Sequence, residues 1–196
     1  MKIFFLGGTF DPPHLGHLNI ALKCLTQCDK FIFVPAKKNP HKKNKSYFSS
    51  SQRLKMLQIM ISNKKNMEID LFELNSNEDV NYSINTVRYL KRKYQKDSLS
   101  MVLGLDLIND LDSWKDWEKI EKLVDIVCIN RPKYKPSNLS KYNRISFLED
   151  LYLDISSSYL KSIIVSKKYK KDIDINNMIH PKVVDYIYMI QGLDKC

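Results

Sequence analysis

Short apolar runs alternate along this chain with segments in which apolar residues recur every three or four positions. The runs KIFFLGG (2–8) and KFIFVPA (30–36) end at Gly or Pro, which is typical of strands buried on both faces of a parallel sheet. Between the two runs, leucines recur with helical spacing at Leu15, Leu18, Leu22 and Leu25. This spacing predicts a helix with one apolar face, and the three segments together predict a β-α-β unit.

The same alternation continues through the rest of the chain. A serine triplet at 49–51 offers a cap for the helix that follows it. Further strands are predicted at 67–74, 98–106, 125–130 and 144–155, and further helices at 82–94, 117–123, 158–166 and 181–190. This order predicts an α/β fold, an open, doubly wound parallel sheet of Rossmann-like type with flanking helices. We expect one domain over residues 1–196, with 155–196 as a small C-terminal helical subregion, and a ligand site beyond the carboxyl ends of the strands.

Composition places the chain among folded proteins. It has 196 residues, of which 43% are hydrophobic and 11% aromatic, and this apolar content excludes wholesale disorder. No apolar run approaches the roughly 18–20 residues that span a bilayer, and the stretch MKIFFLGGTFD lacks the cleavage site of a signal peptide. We therefore expect no transmembrane segment and an intracellular, cytoplasmic protein, with access to a nucleus left open.

The cysteines and the charge narrow the chemistry only a little. Cys24, Cys28, Cys128 and Cys196 are too scattered for a disulfide framework, and two thiols four residues apart make a poor zinc site, so we interpret them as packing residues. The formal net charge is +10, and lysines cluster within 37–45 and 167–171. Such clusters suit a nucleic acid or a small polyanion equally well, so the charge alone does not identify a partner.

A glycine pair follows the first strand and leads into the first helix. The stretch GGTFDPPHLGHL (7–18) is neither a G-x-G-x-x-G fingerprint nor a Walker loop. Adjacent glycines let backbone N–H groups approach an anion, and the helix start adds unpaired N–H groups and a positive dipole end. His14 and His17 are three residues apart at that start, so both rings project from one side toward the loop. The pattern predicts a phosphate site in which two imidazoles donate hydrogen bonds without a metal.

This stretch, GGTFDPPHLGHL, resembles the nucleotidyltransferase α/β superfamily with its [HT]-x-G-H motif, and most closely the bacterial-type nicotinate mononucleotide adenylyltransferases. The resemblance extends over nearly the whole chain. In chain order, the further matching segments are Val34-Pro35 with Pro40-His41-Lys42, Ser51-Gln52-Arg53 with Met56-Leu57, Glu73-Leu74, Tyr82-Ser83-Ile84-Asn85-Thr86-Val87, Gly104-Leu105-Asp106 with Trp114, Arg131-Pro132 with Tyr134, Ile155-Ser156-Ser157-Ser158-Tyr159-Leu160-Lys161, and Gly192-Leu193. Each match is weak alone, and their common order and spacing make them strong together.

Some positions depart from the family pattern. Ser158 stands in place of Thr and keeps a hydroxyl, a helix cap and a backbone N–H. Lys161 stands in place of Arg, which keeps the positive charge but loses the bidentate fork. Ala36-Lys37 and Asn39 replace family residues in the loop after the second strand, so the family's mononucleotide contacts do not carry over to these positions.

The resemblance implies an enzyme of NAD biosynthesis. The 5′-phosphate of nicotinate mononucleotide would attack the α-phosphorus of ATP, expel pyrophosphate and form nicotinate adenine dinucleotide. Because the substrate phosphate is already a nucleophile, such a reaction needs alignment and charge stabilisation rather than a Ser or Cys nucleophile. The resemblance assigns catalytic roles to His14, His17 and Lys161.

Binding residues are implied by the same resemblance. ATP is expected to contact Gly7, Gly8, Thr9, Phe10, Gly16, His17, Gly104, Asp106, Ile155, Ser156, Ser157, Ser158 and Lys161. The mononucleotide is expected to contact His41, Lys42, Tyr82, Ser83, Trp114 and Arg131, with Trp114 stacked on the pyridine ring. Asp106 would accept from the adenosine ribose hydroxyls or orient the metal. No cluster of carboxylates suggests a protein cage for Mg²⁺, so this cofactor is expected to arrive with ATP.

Other functions stay open at this point. Phosphopantetheine adenylyltransferase shares the His-x-Gly-His and Ser-Ser pattern, although the segments at Trp114 and Arg131-Pro132 fit it poorly, and cytidylyltransferases are more distant. A basic nucleic-acid-binding protein would use the lysine clusters, but the sequence contains no RNP-like strand, zinc finger or helix-turn-helix pattern. We expect small-molecule substrates and neither nucleic acid nor a membrane as partner. The sequence does not fix the oligomeric state, and a homo-oligomer stays open.

Overall fold

A six-stranded sheet forms the centre of the computed structural model, which describes residues 1–38, 46–78, 80–129, 144–148, 155–166 and 175–192. Its strands are β1 (Lys2–Gly8), β2 (Lys30–Pro35), β3 (Met67–Ile69), β4 (Ser98–Gly104), β5 (Asp125–Ile129) and β6 (Ile145–Leu148). They lie in the order β3-β2-β1-β4-β5-β6, and every neighbouring pair is parallel. This order is that of a doubly wound Rossmann-like sheet, so the predicted fold class is confirmed.

Helices cover both faces of the sheet. They are α1 (Leu15–Cys24), α2 (Ser50–Ile61), α3 (Ser83–Lys93), α4 (Trp117–Leu123), α5 (Ser157–Val165), α6 (Ile175–Met178) and α7 (Pro181–Ile190), with a 3-10 helix at Leu105–Ser113. Successive residues of a strand point to opposite faces, so Phe4 packs with α1, α2, α5 and α7, whereas Ile3 and Phe5 pack with α3, α4 and the 3-10 helix. Burial on both faces explains why β1 reads as an unbroken apolar run.

Two helices begin and end as their flanking residues predict. Ser49 is the N-cap of α2, since its hydroxyl accepts from the Gln52 N–H at 3.2 Å and the Gln52 side chain accepts from the Ser49 N–H at 2.9 Å. Pro181 occupies the first turn of α7, and Gly192 follows its end with φ +64°. The cap predicted within 49–51 is therefore Ser49.

Three details of the predicted secondary structure are wrong. β3 ends at Ile69 instead of reaching residue 74, because the Asp70 carboxylate accepts from the Phe72 N–H at 2.9 Å and turns the chain. The strand predicted to reach residue 106 ends at Gly104, where the 3-10 helix starts. On α1, Leu22 is 41% exposed, and the buried face includes Ala21 and Cys24 instead.

The described cysteines serve as packing residues. Cys24 and Cys128 are buried and Cys28 is half-buried, and burial raises the pKa of the Cys24 and Cys128 thiols to about 12. Within the described residues, no helix is both long enough and apolar enough to cross a membrane. Residues 149–154 of the strand predicted at 144–155, and Cys196, lie outside the described residues.

Candidate active site

The loop between β1 and α1 lies at the carboxyl edge of the sheet. β2 and β3 lie on one side of β1 and β4, β5 and β6 lie on the other, so this loop is at the point where the chain changes sides. Gly8 ends the strand, and a Cβ added there would lie 3.0 Å from the ring of Phe10. Phe10 is buried, with φ 50°, and its ring packs edge-on against Phe33 and His17. The absence of a side chain at Gly8 thus leaves space for the Phe10 ring, which packs against the loop.

The two histidines stack on each other at the start of α1. Their ring centroids are 3.7 Å apart at an interplanar angle of 28°. The backbone N–H of His14, the N-cap residue, donates to Nδ1 of His17 at 3.2 Å. Because Nδ1 accepts this bond, the neutral His17 ring carries its proton on Nε2 and can donate from there. A Cβ on Gly16 would lie 2.8 Å from Nδ1 of His14, so the stack requires glycine between the two histidines.

The start of α5 lies beside this loop, although it is far away in sequence. The Ser157 hydroxyl donates to the Pro12 carbonyl oxygen at 3.1 Å, and Nζ of Lys161 lies 3.8 Å from Oδ2 of Asp11. The N-cap of α5 is Ser156, whose hydroxyl accepts from the Tyr159 N–H at 3.2 Å. The cap expected at Ser158 is therefore wrong, since Ser158 already lies within the helix. Two positive helix ends and a lysine converge on one loop.

Two charged residues fix this loop and were not predicted as site residues. The carboxylate of Asp11 is buried and accepts from the backbone N–H groups of Tyr47 and Phe48 at 2.8 and 2.9 Å. Arg53 is 1% exposed and donates to the carbonyl oxygens of Thr9 and Ala36, which ties the end of β1 to the end of β2. Burial lowers the pKa of Arg53, and the Asp11 charge opposes this.

A sequence signal for Arg53 exists. It lies one helical turn before Met56 and Leu57, on the buried face of α2. A charged residue in the middle of an apolar helical face is uncommon unless it is paired inside the protein, so its position indicates a buried structural or functional contact.

A pocket opens beside the loop, at the ends of β1, β2 and β4. Phe5, Met101 and Leu103 form its apolar wall, and Tyr82 and Trp114 are half-buried in its lining. Trp114 also packs edge-on against Trp117, with centroids 6.3 Å apart. The lysines of the lining are Lys38 and Lys115, and Nζ of Lys115 lies 4.3 Å from the centre of the Tyr82 ring. The structure thus brings Tyr82, Ser83 and Trp114 together, as a shared mononucleotide pocket would require.

Three buried polar side chains also line this pocket, and none was predicted as a site residue. They are Glu73, Asn81 and Thr86. The Thr86 hydroxyl donates to Oε1 of Glu73 at 2.6 Å. Burial raises the pKa of Glu73, and the hydrogen bond from Thr86 only partly offsets the effect. Oδ1 of Asn81 is buried and has no hydrogen-bond partner among the described residues.

Some of the remaining predicted site residues lie in the described part of the chain and others lie outside it. Gly104 ends β4 and Asp106 is half-buried in the first turn of the 3-10 helix, so Asp106 lies just beyond the strand end rather than on it. Ile155 lies against Gly16, where an added Cβ would be 3.7 Å from the Ile155 Cβ. His41, Lys42 and Arg131 lie outside the described residues. In the part of the chain that the structure describes, no group of three or more His, Cys, Asp or Glu side chains could hold a metal ion.

Comparisons with known proteins agree with this geometry. Residues 5–163 match the family model described as cytidylyltransferase-like. A nicotinate-nucleotide adenylyltransferase of Bacillus subtilis is 30% identical over 188 residues, which cover 95% of each chain. A probable nicotinate-nucleotide adenylyltransferase of Methylacidiphilum infernorum is 33% identical over 192 residues, 95% of this chain and 89% of that one.

A solved structure is similar over nearly its whole length. It is the nicotinic acid mononucleotide adenylyltransferase of Plasmodium falciparum complexed with APC, which has 25% sequence identity and a TM-score of 0.78, and the match covers 97% of this chain and 96% of that one. The resemblance inferred from the motifs is thereby confirmed. The chain belongs to the cytidylyltransferase-like family and, within it, to the nicotinate-nucleotide adenylyltransferases, which are nucleotidyltransferases.

Proposed function

We propose that this enzyme joins ATP and nicotinate mononucleotide to form nicotinate adenine dinucleotide and pyrophosphate, a step of NAD biosynthesis. An oxygen of the mononucleotide phosphate attacks the α-phosphorus of ATP, and the bond from that phosphorus to the α,β-bridging oxygen breaks. The observation that carries the proposal is the convergence of the α1 and α5 N-termini, with His14, His17 and Lys161, on the loop after β1. Such a site can hold a triphosphate and stabilise the charge that develops during transfer.

In this mechanism His17 acts on the α-phosphate. The bond from the His14 N–H to Nδ1 leaves Nε2–H as a donor whose direction is fixed before ATP binds. His14 stacks on His17 and holds the neighbouring phosphate, while the backbone N–H groups of Gly8 and Thr9 add donors from the loop. Alignment and charge stabilisation suffice, because the attacking phosphate needs no further activation.

The β- and γ-phosphates belong at the start of α5 in this proposal. The backbone N–H groups of Ser157 and Ser158 lie in its first turn, where no intrahelical acceptor is available to them. Lys161 supplies the positive charge, and its ion pair with Asp11 keeps it near the loop before ATP arrives. Mg²⁺ enters as part of the MgATP substrate, and the pyrophosphate leaves with it.

The other binding roles follow the pocket and the sheet edge. Trp114 stacks on the pyridine ring, and backbone N–H groups at Tyr82 and Ser83 meet its carboxylate. Asp106 takes the adenosine ribose. We assign the rest of the ATP contacts to Gly7, Phe10, Gly16, Gly104, Ile155 and Ser156, and keep His41, Lys42 and Arg131 as proposed mononucleotide contacts.

We also propose that residues 1–196 act as one catalytic domain with 155–196 as its helical subregion, and that the enzyme works in the cytoplasm, where ATP is available. Its partners in this proposal are the two substrates and the dinucleotide product, without a nucleic acid or a membrane.

The test is an assay of the purified protein with MgATP and nicotinate mononucleotide, in which pyrophosphate and the dinucleotide are both quantified. We expect the two products in equal amounts. Phosphopantetheine in place of the mononucleotide should give no pyrophosphate above background. Product formation with phosphopantetheine and none with the mononucleotide would reject the proposal.

A further inference from the structure

Of the buried polar side chains that line the pocket beside the β1–α1 loop, two are hydrogen-bonded to each other, and a buried oxygen of the third has no hydrogen-bond partner among the described residues. Thr86 uses its hydroxyl proton in the 2.6 Å bond to Glu73, where Oε1 of Glu73 is the acceptor. Among the three buried polar side chains of this pocket, Asn81 is therefore the one that still has N–H groups to offer a ligand.

Asn81 is buried without an evident structural reason. The residue is only 5% exposed, and its Oδ1 atom has no hydrogen-bond partner among the described residues. A buried amide atom without a partner costs stability, so a residue of this kind in a binding pocket indicates a group that is paired when the ligand is present. Rotation of the side-chain amide by 180° exchanges its carbonyl oxygen and its NH₂ group, so Asn81 can offer either an acceptor or a donor.

The rest of the pocket indicates what kind of ligand group Asn81 meets. Phe5, Met101 and Leu103 form an apolar wall, and Tyr82 and Trp114 supply aromatic surfaces. This lining suits a flat ring, and a polar substituent on that ring would need a polar partner at the buried side. Asn81 directly precedes Tyr82 at the start of α3, so its amide lies at the wall where the helix presents its own N–H groups.

We propose that the side-chain amide of Asn81 binds the substituent at the 3-position of the pyridine ring, and that its N–H donor is what allows a carboxylate at this position. This inference rests on the function proposed above, since it places the mononucleotide ring in this pocket. With nicotinate mononucleotide, Nδ2 of Asn81 donates to a carboxylate oxygen. With nicotinamide mononucleotide, the amide turns and Oδ1 accepts from the NH₂ group of the substrate.

The carboxyl group of Glu73 makes this donor important. Glu73 lines the same pocket, and its carboxyl oxygens are acceptors that cannot pair with a substrate carboxylate. A donor from Asn81 offsets that effect for the acid substrate. An Asp at position 81 would instead add a second acceptor-only group, which a carboxamide tolerates because its NH₂ can donate to it.

The deciding variant is Asn81→Asp, which is nearly isosteric and replaces the N–H donor with a second carboxyl oxygen, an acceptor that is negatively charged when ionised. Its kcat/KM is measured with nicotinate mononucleotide and with nicotinamide mononucleotide at saturating MgATP. We expect the value for the acid to fall at least about thirtyfold and the value for the amide to change less than about threefold, because a missing donor next to a carboxylate is far more costly than one next to a carboxamide. The ratio is informative because a purely structural role would lower both values together.

The matched control is Asn85→Asp, which makes the same chemical change four residues later, within the first turn of α3. Asn85 does not line the pocket, and its side chain donates to Oε2 of Glu78 at 3.2 Å. This variant should leave the acid-to-amide ratio within about twofold of the wild-type value, since water and salt screen a charge that lies outside the pocket. An equal shift of the ratio in both variants would mean that charge on α3, and not contact with the substrate, sets the preference, and would overturn the proposal.

A second variant keeps the inference testable if Asn81→Asp does not fold. Asn81→Leu has similar size and removes the buried polar atoms, so folding should tolerate it. We expect its KM for each mononucleotide to rise at least about fivefold while its KM for ATP stays within about twofold. Unchanged KM values for the mononucleotides would overturn the assignment of Asn81, whereas a wild-type protein that forms no dinucleotide from either mononucleotide would overturn the proposed function and this inference with it.

Discussion

At the start of α1, the groups proposed to hold phosphates include backbone N–H groups and two helix N-termini beside the histidines and Lys161. The pyridine pocket instead combines backbone N–H groups at the start of α3 with side chains from several separate segments. We refer to residues 7–17 with 155–161 as the phosphate site, and to the pocket lined by Trp114, Tyr82 and Asn81 as the pyridine pocket. In the phosphate site, a Cβ on Gly16 would clash with the His14 ring and one on Gly8 would crowd the Phe10 ring, so the local geometry depends on a few residues close together in sequence. In the pyridine pocket, the polar groups come from the segment after β3, from α3 and from the end of the 3-10 helix.

This difference separates catalytic power from selectivity. A triphosphate is recognised by its charge and shape. Backbone dipoles in fixed positions bind such a group strongly, and few sequences can provide those positions. A ring substituent is recognised by one or two hydrogen bonds, and a single side chain can change them. We therefore expect changes in the phosphate site to reduce turnover strongly for every substrate, and changes in the pyridine pocket to alter the choice of substrate.

The largest expected effect is in the phosphate site. His17→Ala should reduce kcat by roughly 10²–10³, because it removes a donor that is oriented before the charge develops. The fold should persist, since the ring lies at the first turn of α1 and not on its buried face. Single-turnover rates and circular dichroism measure the two quantities. The matched control is His180→Ala, at the N-cap of α7, which should retain nearly full activity. An alanine variant of His17 with more than about half the wild-type rate would contradict its role.

The sequence predicted the phosphate site far better than the pyridine pocket. The glycines and histidines of 7–17 are contiguous, so their spacing already encodes the geometry that the structure shows at Gly16. The sheet was equally readable, because strands buried on both faces leave long apolar runs. These signals come from residues that are close together in the chain, so they can be recognised in a single sequence.

Long-range contacts could not be predicted in the same way. The bonds from Arg53 to Thr9 and Ala36 join residues 44 and 17 positions apart, and the bonds of Asp11 to Tyr47 and Phe48 span 36 and 37 positions. Asn81 gave no signal at all, since a buried Asn and an exposed Asn look alike in sequence. The short β3 was mispredicted because one side-chain hydrogen bond of Asp70 outweighed the apolar and aromatic residues Leu71, Phe72 and Leu74 after it.

The next effect in size tests selectivity in the wild-type protein. We expect kcat/KM for nicotinate mononucleotide to exceed that for nicotinamide mononucleotide by roughly ten- to a hundredfold, because backbone N–H groups at the start of α3 bind a charged carboxylate more strongly than a neutral carboxamide. The measurement is made at physiological salt, which screens the net charge of +10 beyond about 8 Å. Equal values, or a preference for the amide, would contradict this reading of the pyridine pocket.

A smaller effect is expected at the edge of the phosphate site. Lys161→Ala should raise the KM for ATP by about tenfold, since a charge-assisted hydrogen bond is worth roughly 1.5–3 kcal/mol. Lys161→Arg should restore or improve the affinity, because the guanidinium can bind a phosphate with two parallel bonds. Lys55→Ala removes the same charge from an exposed position on α2 and serves as the control. An unchanged ATP dependence in Lys161→Ala would show that another lysine binds the triphosphate.

The smallest effect concerns the stability cost of the polar pyridine pocket. Burial raises the pKa of Glu73, so its ionised form destabilises the folded state once the pH rises above about 4.3, where the unfolded chain loses this proton, and the loss is complete above the raised pKa. Glu73→Gln removes the charge and can still accept from the Thr86 hydroxyl. We expect its Tm to exceed that of the wild-type protein by roughly 2–4 °C at pH 8, about 1 kcal/mol for a chain of this length, and the difference to vanish near pH 4. Glu78→Gln, at an exposed position, should leave Tm unchanged at both pH values. A Glu73→Gln variant that is less stable than the wild type at pH 8 would mean that the ionised carboxylate stabilises the pocket.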